Sequence, residues 1–367
     1  MNALERLIRA EIEANGPMGV DRFMALALGH PEHGYYMRRD ALGRDFTTAP
    51  EIHQIFGEMI GIWVVLHWAP GARLVELGPG RGTMMADMLR VLGTSGIAPE
   101  VWLIETSEKL IAEQAKRVPG AQWATRLEEV PEGPILLIAN EFFDALPVKQ
   151  YLRSPEGWRE RLVGMSEQGL VWGLSGVVPL AVDPGRPAHA LASAEPASLS
   201  GKEPGTTVHP PHHAQDPANV DAVWFEQSAA ALRISADIAK RLSRNGGAAL
   251  IVDYGYSGQD RPSGPTLQAI RTGEMAPPLE APGEADLTWL VDFDALEGAM
   301  SGMSCRLLPQ GRFLADLGVG ARAEALAKAA PGEAGTIADA LERLTGPAQM
   351  GSLFKVLEAL PERGMTP

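Results

Sequence analysis

Short apolar runs recur along this chain and alternate with longer segments in which apolar residues return every three or four positions. The runs are RLVEL at 73–77, VWLIE at 101–105, QWA at 122–124, ILLIA at 135–139 and GAALIVDYGY at 247–256. Short runs of this kind are typical of strands buried on both faces of a parallel sheet, and the longer period is typical of covering helices. The alternation predicts an α/β fold with a doubly wound sheet.

The remaining segments predict how the chain is divided. We expect an N-terminal helical region at 1–70, a first core segment at 71–147, an insertion at 148–222 and a second core segment at 223–367. The insertion begins with alternating segments typical of an antiparallel meander. From 179 to 219 it is rich in proline, alanine, serine, glycine and histidine, which predicts a loosely packed loop.

Three local patterns predict helices around this core. One helix is expected to start near Pro50, with Thr48 as its cap, and to continue through Trp63. A second is expected over 223–242. A third is expected to begin at 286–288.

A glycine-dense turn follows the first apolar run. Its pattern, Gly78-Pro79-Gly80-Arg81-Gly82, allows a ligand to approach the backbone closely and leads directly into a helical segment. A dinucleotide fingerprint needs a third glycine at position 83, where this chain has Thr83. With Glu76 inside the strand, the pattern G-x-G-x-G favours S-adenosylmethionine over a dinucleotide. A strand-to-helix turn that binds no ligand remains the alternative.

Polar residues follow the later strands at the edge where a doubly wound sheet binds ligands. Glu105 is placed to accept hydrogen bonds from ribose hydroxyls, although a carboxylate there also suits the start of a helix, and Leu127 borders the expected adenine position. Asn140, Glu141 and Asp144 follow the fourth strand and suit a nitrogen-bearing substrate, and the alternative is that Asp144 only caps a turn. The fifth strand ends on the same side with an aspartate and a tyrosine at 253–254.

Composition narrows the function classes. The 367 residues carry a net charge of −14, which excludes a general nucleic-acid binder because phosphate contacts need a basic surface. The one cysteine, Cys305, indicates a reducing compartment, so we expect a cytoplasmic location. No apolar run approaches the roughly 20 residues of a membrane span. The histidine-rich stretch at 209–213 lacks cysteine or carboxylate ligands at metal-binding spacing, and no metal is expected.

The motifs taken together resemble the mitochondrial complex I assembly factor 7 family of S-adenosylmethionine-dependent protein-arginine methyltransferases, which also has bacterial members. They occur in the order GYYM, DFTTAPEI, ELGPGRGT, NEFFDALPV, VDYGY, PGEADLTWLVDF and MGSLFKVL. The resemblance implies a seven-stranded methyltransferase sheet. It also implies that Gly78, Gly80 and Gly82 line the cofactor, that Glu105 holds its ribose, and that Asn140 and Glu141 lie at the methyl-transfer end.

The resemblance further implies a protein substrate. Eukaryotic members act in the mitochondrial matrix and symmetrically dimethylate an arginine on a core subunit of respiratory complex I. This chain departs from the family at QAIRTGEMAPPLEAPG, where relatives often carry a histidine-containing segment. Its protein substrate can therefore differ from that of the relatives. Three alternatives remain at this stage, namely a non-catalytic assembly chaperone that binds the cofactor, a small-molecule N-methyltransferase and a nicotinamide dehydrogenase.

Overall fold

The computed structural model of the protein describes residues 1–37, 48–178 and 223–362. The helices in these ranges are α1 Ala3–Asn15, α2 Val20–Gly29, α3 Ala49–Ile52, α4 Ile55–His67, α5 Thr83–Thr94, α6 Glu108–Arg117, α7 Ala229–Asn245, α8 Phe293–Ala299, α9 Gln310–Asp316, α10 Val319–Ala329, α11 Ala334–Thr345 and α12 Met350–Leu353. The strands are β1 Met18–Gly19, β2 Arg73–Leu77, β3 Glu100–Ile104, β4 Gln122–Ala124, β5 Ile135–Asn140, β6 Lys149–Ser154, β7 Gly157–Ser166, β8 Gly169–Val178, β9 Trp224–Gln227, β10 Gly247–Tyr256, β11 Gln268–Arg271, β12 Glu274–Ala276, β13 Asp286–Thr288, β14 Val291–Asp292, β15 Met303–Pro309 and β16 Phe354–Pro361.

These elements form two compact units. The first unit takes its described residues from Met1–Phe46, Ala145–Arg233 and Ser257–Ala299. The second takes them from Thr47–Asp144, Ile234–Tyr256 and Met300–Pro367. The sequence-based division at 70, 147 and 222 stays a prediction.

The second unit contains a twisted sheet with the strand order β15-β16-β10-β5-β2-β3-β4. The strands from β10 to β4 pair in parallel, whereas β16 runs antiparallel to both β10 and β15. From β2 the chain winds outward through β3 and β4 and then returns to β5 on the other side of β2. The direction in which successive strands are added to the sheet therefore reverses between β2 and β5. A doubly wound fold binds its ligand at this point. The prediction of a doubly wound sheet is confirmed, with seven strands in this order.

Burial explains why the apolar runs form this sheet. Every residue of β5 is buried, and so are the last four residues of β2, because helices cover both faces of the strands. Helix α4 lies in the same core, where Ile55, Phe56, Met59 and Ile60 are fully buried. Its Trp63 donates an indole hydrogen bond of 2.7 Å to the buried carboxylate of Glu358 on β16.

The first unit is built on an antiparallel sheet in the order β1-β7-β6-β9, with β8 paired to β7, and on a three-stranded sheet in the order β12-β11-β13. The predicted antiparallel meander is confirmed as β6, β7 and β8. Helices α1 and α2 contribute Leu4, Ile8, Phe23 and Met24 to the core of this unit.

Two of the predicted helices are wrong at their starts. Residues 224–227 form β9 because Phe225 pairs with Tyr151 of β6, with ring centroids 6.1 Å apart. The helix begins only at Ala229. The hydroxyl of the preceding residue, Ser228, caps it by accepting a hydrogen bond of 3.1 Å from the Ala231 N–H. Residues 286–288 form β13, whose three side chains are all buried and which pairs with β11.

The predicted helix from Pro50 to Trp63 is divided in two. His53 has an extended backbone between α3 and α4, and its Nδ1 accepts a hydrogen bond of 3.1 Å from the Ile55 N–H. Two stretches named in the sequence analysis, residues 45–47 of the DFTTAPEI motif and the 179–222 part of the insertion with its histidines, lie outside the described residues. Among the helices of the described ranges, none has the length and apolar character needed to cross a membrane.

Candidate active site

The glycine turn joins β2 to α5, and its three glycines all have positive φ angles. These angles are 60° at Gly78, 52° at Gly80 and 77° at Gly82, a region that side-chain-bearing residues rarely adopt. A Cβ atom at Gly78 would lie 2.8 Å from the ring of Phe142, so this glycine is needed for packing. A Cβ at Gly80 would meet nothing within 4 Å, so the turn presents bare backbone to open space there.

Glu105 follows the end of β3, and three donors hold its carboxylate. Its Oε1 accepts hydrogen bonds of 2.8 Å from the backbone N–H groups of both Thr106 and Ser107. Its Oε2 accepts a bond of 3.2 Å from the Gln114 side chain. Burial raises the pKa of Glu105, and these hydrogen bonds oppose the rise.

Gln114 is a residue that the sequence analysis missed. It is fully buried on α6, and its Nε2 also donates a 2.7 Å hydrogen bond to the carbonyl of Gly80. It therefore connects the glycine turn with Glu105. A signal was available, because this glutamine occupies an inward position on a helix whose other polar residues are exposed or half-buried. Leu127 lies half-buried at the start of a 3₁₀ turn after β4.

Asn140 ends β5, and Glu141 follows it with a φ of 50°, which is unusual for a residue with a side chain. The Glu141 Oε1 accepts hydrogen bonds of 3.1 Å from the backbone N–H of Ala49 and from the Asn140 amide. Burial, followed by the nearby charge of Asp144, raises the pKa of Glu141 to about 7. This carboxyl group therefore changes its protonation state near neutral pH.

Asp144 is buried beside β10, and two residues at the end of that strand hold it. The Oδ2 of Asp253 accepts hydrogen bonds of 3.0 Å and 3.2 Å from the backbone N–H groups of Phe143 and Asp144. The Tyr254 hydroxyl donates a hydrogen bond to the Asp144 carboxylate. Burial and the charges of Asp144 and Glu141 raise the pKa of Asp253 well above its ordinary value. Asp253 thus fixes the backbone of the segment after β5, a role that sequence reasoning did not assign.

Thr83 occupies the position where a dinucleotide fingerprint has its third glycine. Its hydroxyl donates a 2.6 Å hydrogen bond to Glu51 of α3 and accepts one from the Arg117 guanidinium. The side chain at 83 therefore holds α3 beside the glycine turn, which a glycine cannot do.

Two buried acceptor atoms at this edge have no hydrogen-bond donor in the described part of the chain. They are Oε2 of Glu76 on β2 and Oδ1 of Asn140. Burial raises the pKa of Glu76 to about 8. A ligand with N–H donors would satisfy both atoms, and the bare backbone at Gly80 leaves room for it. The ammonium and ribose hydroxyls of S-adenosylmethionine fit these acceptors and the carboxylate of Glu105.

Comparison with known proteins decides the family. The model of a family of S-adenosyl-L-methionine-dependent methyltransferases matches residues 59–309. The chain belongs to this family. The mitochondrial protein arginine methyltransferase NDUFAF7 homolog of Drosophila melanogaster is 35% identical to this chain, and the match covers 98% of this chain and 85% of the relative. The Homo sapiens protein of that name is 32% identical, over 98% and 83% of the two chains.

Solved structures agree with this assignment. A Burkholderia thailandensis protein crystallised with S-adenosyl-homocysteine is 27% identical to the methyltransferase, with a TM-score of 0.78, and the match covers 100% of this chain and 93% of that chain. A native crystal structure from the same organism gives a TM-score of 0.77 at 27% identity, covering 100% and 92% of the two chains. The predictions of a methyltransferase and of S-adenosylmethionine as its cofactor are confirmed, and the dehydrogenase alternative is not supported. The roles of individual residues stay predictions.

Proposed function

We propose that the methyltransferase transfers a methyl group from S-adenosylmethionine to an arginine nitrogen of a protein. One observation carries the proposal. Two buried or half-buried carboxylates, Glu141 and Asp144, follow β5 beside the turn at Gly78, at the point where the sheet changes direction. A guanidinium is a planar cation that carboxylates hold through paired N–H bonds, so this edge suits arginine. The relatives named as protein arginine methyltransferases support the same substrate class.

The cofactor half of the site is assigned to the residues around the glycine turn. Gly78, Gly80 and Gly82 give the backbone close approach, and Glu105 accepts from the ribose hydroxyls. Leu127 borders the adenine. Glu76 and Asn140 offer their unpaired acceptor atoms to the ammonium group. When bound, the cofactor supplies an electrophilic methyl carbon on a positively charged sulfur.

The transfer half of the site positions the nucleophile and takes its proton. The N–CH₃ bond forms as the S–CH₃ bond breaks, and the arginine nitrogen loses one proton. Glu141 is the proposed acceptor, because a carboxyl group with a pKa of about 7 is largely ionised at slightly alkaline pH and still takes a proton readily. Asp144 adds negative charge and, through Tyr254, a fixed orientation. Positioning supplies most of the acceleration in such an in-line displacement.

By resemblance, we propose a core subunit of respiratory complex I as the protein substrate and the bacterial cytoplasm as the location. The single cysteine of the chain supports a reducing compartment. The segment 268–283, where the chain departs from its family, is the place where the substrate choice is expected to differ.

The test is intact-mass analysis of the candidate complex I subunit after co-expression with the methyltransferase, with the Glu141→Gln variant, or alone. We expect a mass increase of one or two methyl groups with the wild type only. Tandem mass spectrometry then locates the methyl groups on arginine.

The alternatives give different results. An assembly chaperone would bind labelled S-adenosylmethionine and the subunit without any mass change. A small-molecule N-methyltransferase would leave the protein unmodified while consuming the cofactor with a low-molecular-weight amine.

A further inference from the structure

Gln114 connects the two parts of the proposed cofactor site through one amide group. Its Nε2 donates hydrogen bonds to the Gly80 carbonyl at 2.7 Å and to the Glu105 carboxylate at 3.2 Å. Its Oε1 accepts a hydrogen bond of 2.8 Å from the indole Nε1 of Trp123 on β4. The side chain is fully buried, and all three partners belong to the second unit.

The chemistry of these partners leaves one orientation for the amide. An indole N–H only donates, whereas a backbone carbonyl and a carboxylate only accept. Nε2 must therefore face Gly80 and Glu105, and Oε1 must face Trp123. Because the amide has two N–H groups, each acceptor receives one, and both donors are used.

The stem of the same side chain supports the glycine turn. A Cβ atom at Gly82 would lie 3.5 Å from Gln114 Cγ and 3.4 Å from Val118 Cγ2, so α6 packs directly against this glycine. Gln114 therefore faces the turn at two points, by its hydrogen bond to the Gly80 carbonyl and by the space beside Gly82 that an added Cβ would fill. Both interactions come from the buried face of α6.

The Glu105 carboxylate needs this third donor to keep one orientation. Its Oε1 is held by the N–H groups of Thr106 and Ser107, but Oε2 has the Gln114 amide as its donor within the described residues. Removing that donor leaves an oxygen of this half-buried carboxylate free to rotate or to take a proton, since partial burial already raises the pKa of this group. Either change removes the acceptor that a ribose hydroxyl needs.

We propose that Gln114 is a positioning residue for S-adenosylmethionine, which sets the distance between the glycine turn and Glu105 and so makes the site select a ribose. The inference rests on the proposed role of Glu105. It extends that role, because it makes recognition of the sugar depend on a residue that contacts the cofactor only through others.

The experiment compares S-adenosylhomocysteine with its 2′-deoxyribose analogue by calorimetry, in the wild type and in Gln114→Met. We expect the wild type to prefer the ribose form by about tenfold or more, the size of one hydrogen bond to a charged group. In Gln114→Met this preference should fall below about threefold, because the ribose form loses more affinity than the deoxy analogue, which loses only the support of the glycine turn. A merely structural role would weaken both ligands equally.

Gln122→Met is the matched control. Gln122 also donates to a glutamate, with 2.9 Å between its Nε2 and Glu100 Oε1, but Glu100 is the first residue of β3, at the opposite end of that strand from Glu105. This variant should keep the wild-type ribose preference. Gln114→Glu is the second variant, in case Gln114→Met does not fold. It has the same shape and keeps an acceptor for Trp123, but turns an oxygen toward Gly80 and Glu105, so it should also lose the preference.

Three outcomes are informative. Loss of the ribose preference in both Gln114 variants, with melting temperatures that show folded protein, supports the inference. A wild-type preference that survives in a folded Gln114 variant overturns it and leaves the role of Glu105 standing. A wild type that binds both ligands equally overturns the role of Glu105 and the inference together, without affecting methyl transfer to arginine.

Discussion

Glu105 and Glu141 each follow a buried parallel strand of the same sheet, yet their surroundings differ. Three donors hold the Glu105 carboxylate, and all three lie within ten residues of it in the chain. Glu141 has two donors, one of which comes from Ala49, and two further carboxyl groups, Asp144 and Asp253, lie nearby. Burial raises the pKa of both groups, but hydrogen bonds oppose the rise at Glu105, whereas the negative charge of Asp144 adds to it at Glu141.

This difference matches the two tasks of the site. A ribose hydroxyl is neutral and needs a fixed acceptor, which the Glu105 carboxylate provides because three donors hold it and an acceptor position is left over. A guanidinium is a cation that loses a proton during transfer, and an excess of carboxyl groups attracts the cation and accepts the proton. The same residue type at equivalent strand ends thus acquires two functions from its neighbours.

The backbone differs as well. Glu141 has a φ of 50°, a conformation that costs a side-chain-bearing residue about 1–2 kcal/mol. The surrounding structure maintains it, because the Glu141 N–H donates to the Val252 carbonyl at 2.9 Å and Asp253 holds the next residues. Strain of this kind clusters at functional sites, and here it occurs on the transfer side of the comparison.

The largest effect is expected at the glycine turn. Gly80→Val places a branched side chain into the open space beside the turn, at a φ of 52°. We expect the affinity for S-adenosylmethionine to fall by about a hundredfold or more, roughly 2.7 kcal/mol, in calorimetry. Gly96→Val is the control, because Gly96 also has a positive φ of 71° and open space around its Cβ, but lies in the loop after α5. Equal affinities in the two variants would contradict the assignment of the turn.

The next effect concerns transfer rather than binding. Glu141→Gln keeps the shape and removes the charge, so the single-turnover methylation rate should fall about a hundredfold, roughly 2.7 kcal/mol, while cofactor affinity stays nearly unchanged. Since the pKa of Glu141 is raised to about 7, the group is ionised above that pH and protonated below it. The wild-type rate should therefore decline about tenfold per unit as pH falls below 7, and the variant should lack this dependence. A variant with the wild-type rate would remove Glu141 from the mechanism.

The contrast between these regions also shows what sequence can predict. The apolar runs predicted β2, β3, β5 and β10 because strands buried on both faces require continuous apolar residues, and the short run QWA predicted the partly exposed edge strand β4. Glu105 and Glu141 were placed at one edge of the sheet because each follows such a run. Topology and local pattern were sufficient for both.

The unpredicted features depend on contacts that no local pattern contains. Gln114 meets the Gly80 carbonyl across 34 positions of the chain, and Asp253 meets the Phe143 backbone across 110. The helix predicted from 223 starts instead at Ala229, because Trp224 and Phe225 suit either period and only pairing with β6 decides between them. The break between α3 and α4 depends on a single extended residue, His53.

On the cofactor side, Glu105→Ala should weaken binding of S-adenosylmethionine by about 1.5–3 kcal/mol, the size of a lost hydrogen bond to a charged group. Glu100→Ala is the control at the other end of β3, where the carboxylate bonds to Trp102 and Gln122. Calorimetry on both variants measures the difference. Normal binding by Glu105→Ala would mean that the carboxylate serves only the start of α6.

The smallest effect is expected at Asp144, on the transfer side. Asp144→Asn keeps the shape of the side chain but removes the negative charge that, after burial, raises the pKa of Glu141. Two consequences oppose each other, because weaker attraction for the guanidinium slows transfer while a lower pKa leaves more Glu141 ionised. We therefore expect the single-turnover rate to fall by less than about tenfold, roughly 1.4 kcal/mol, with the pH dependence shifted to lower pH.

Tyr254→Phe removes the hydroxyl that donates to Asp144 and keeps both charges, so it separates orientation from charge. An inactive Asp144→Asn enzyme beside an active Glu141→Gln enzyme would exchange the roles of the two carboxylates, and the comparison with Glu105 would then apply to Asp144.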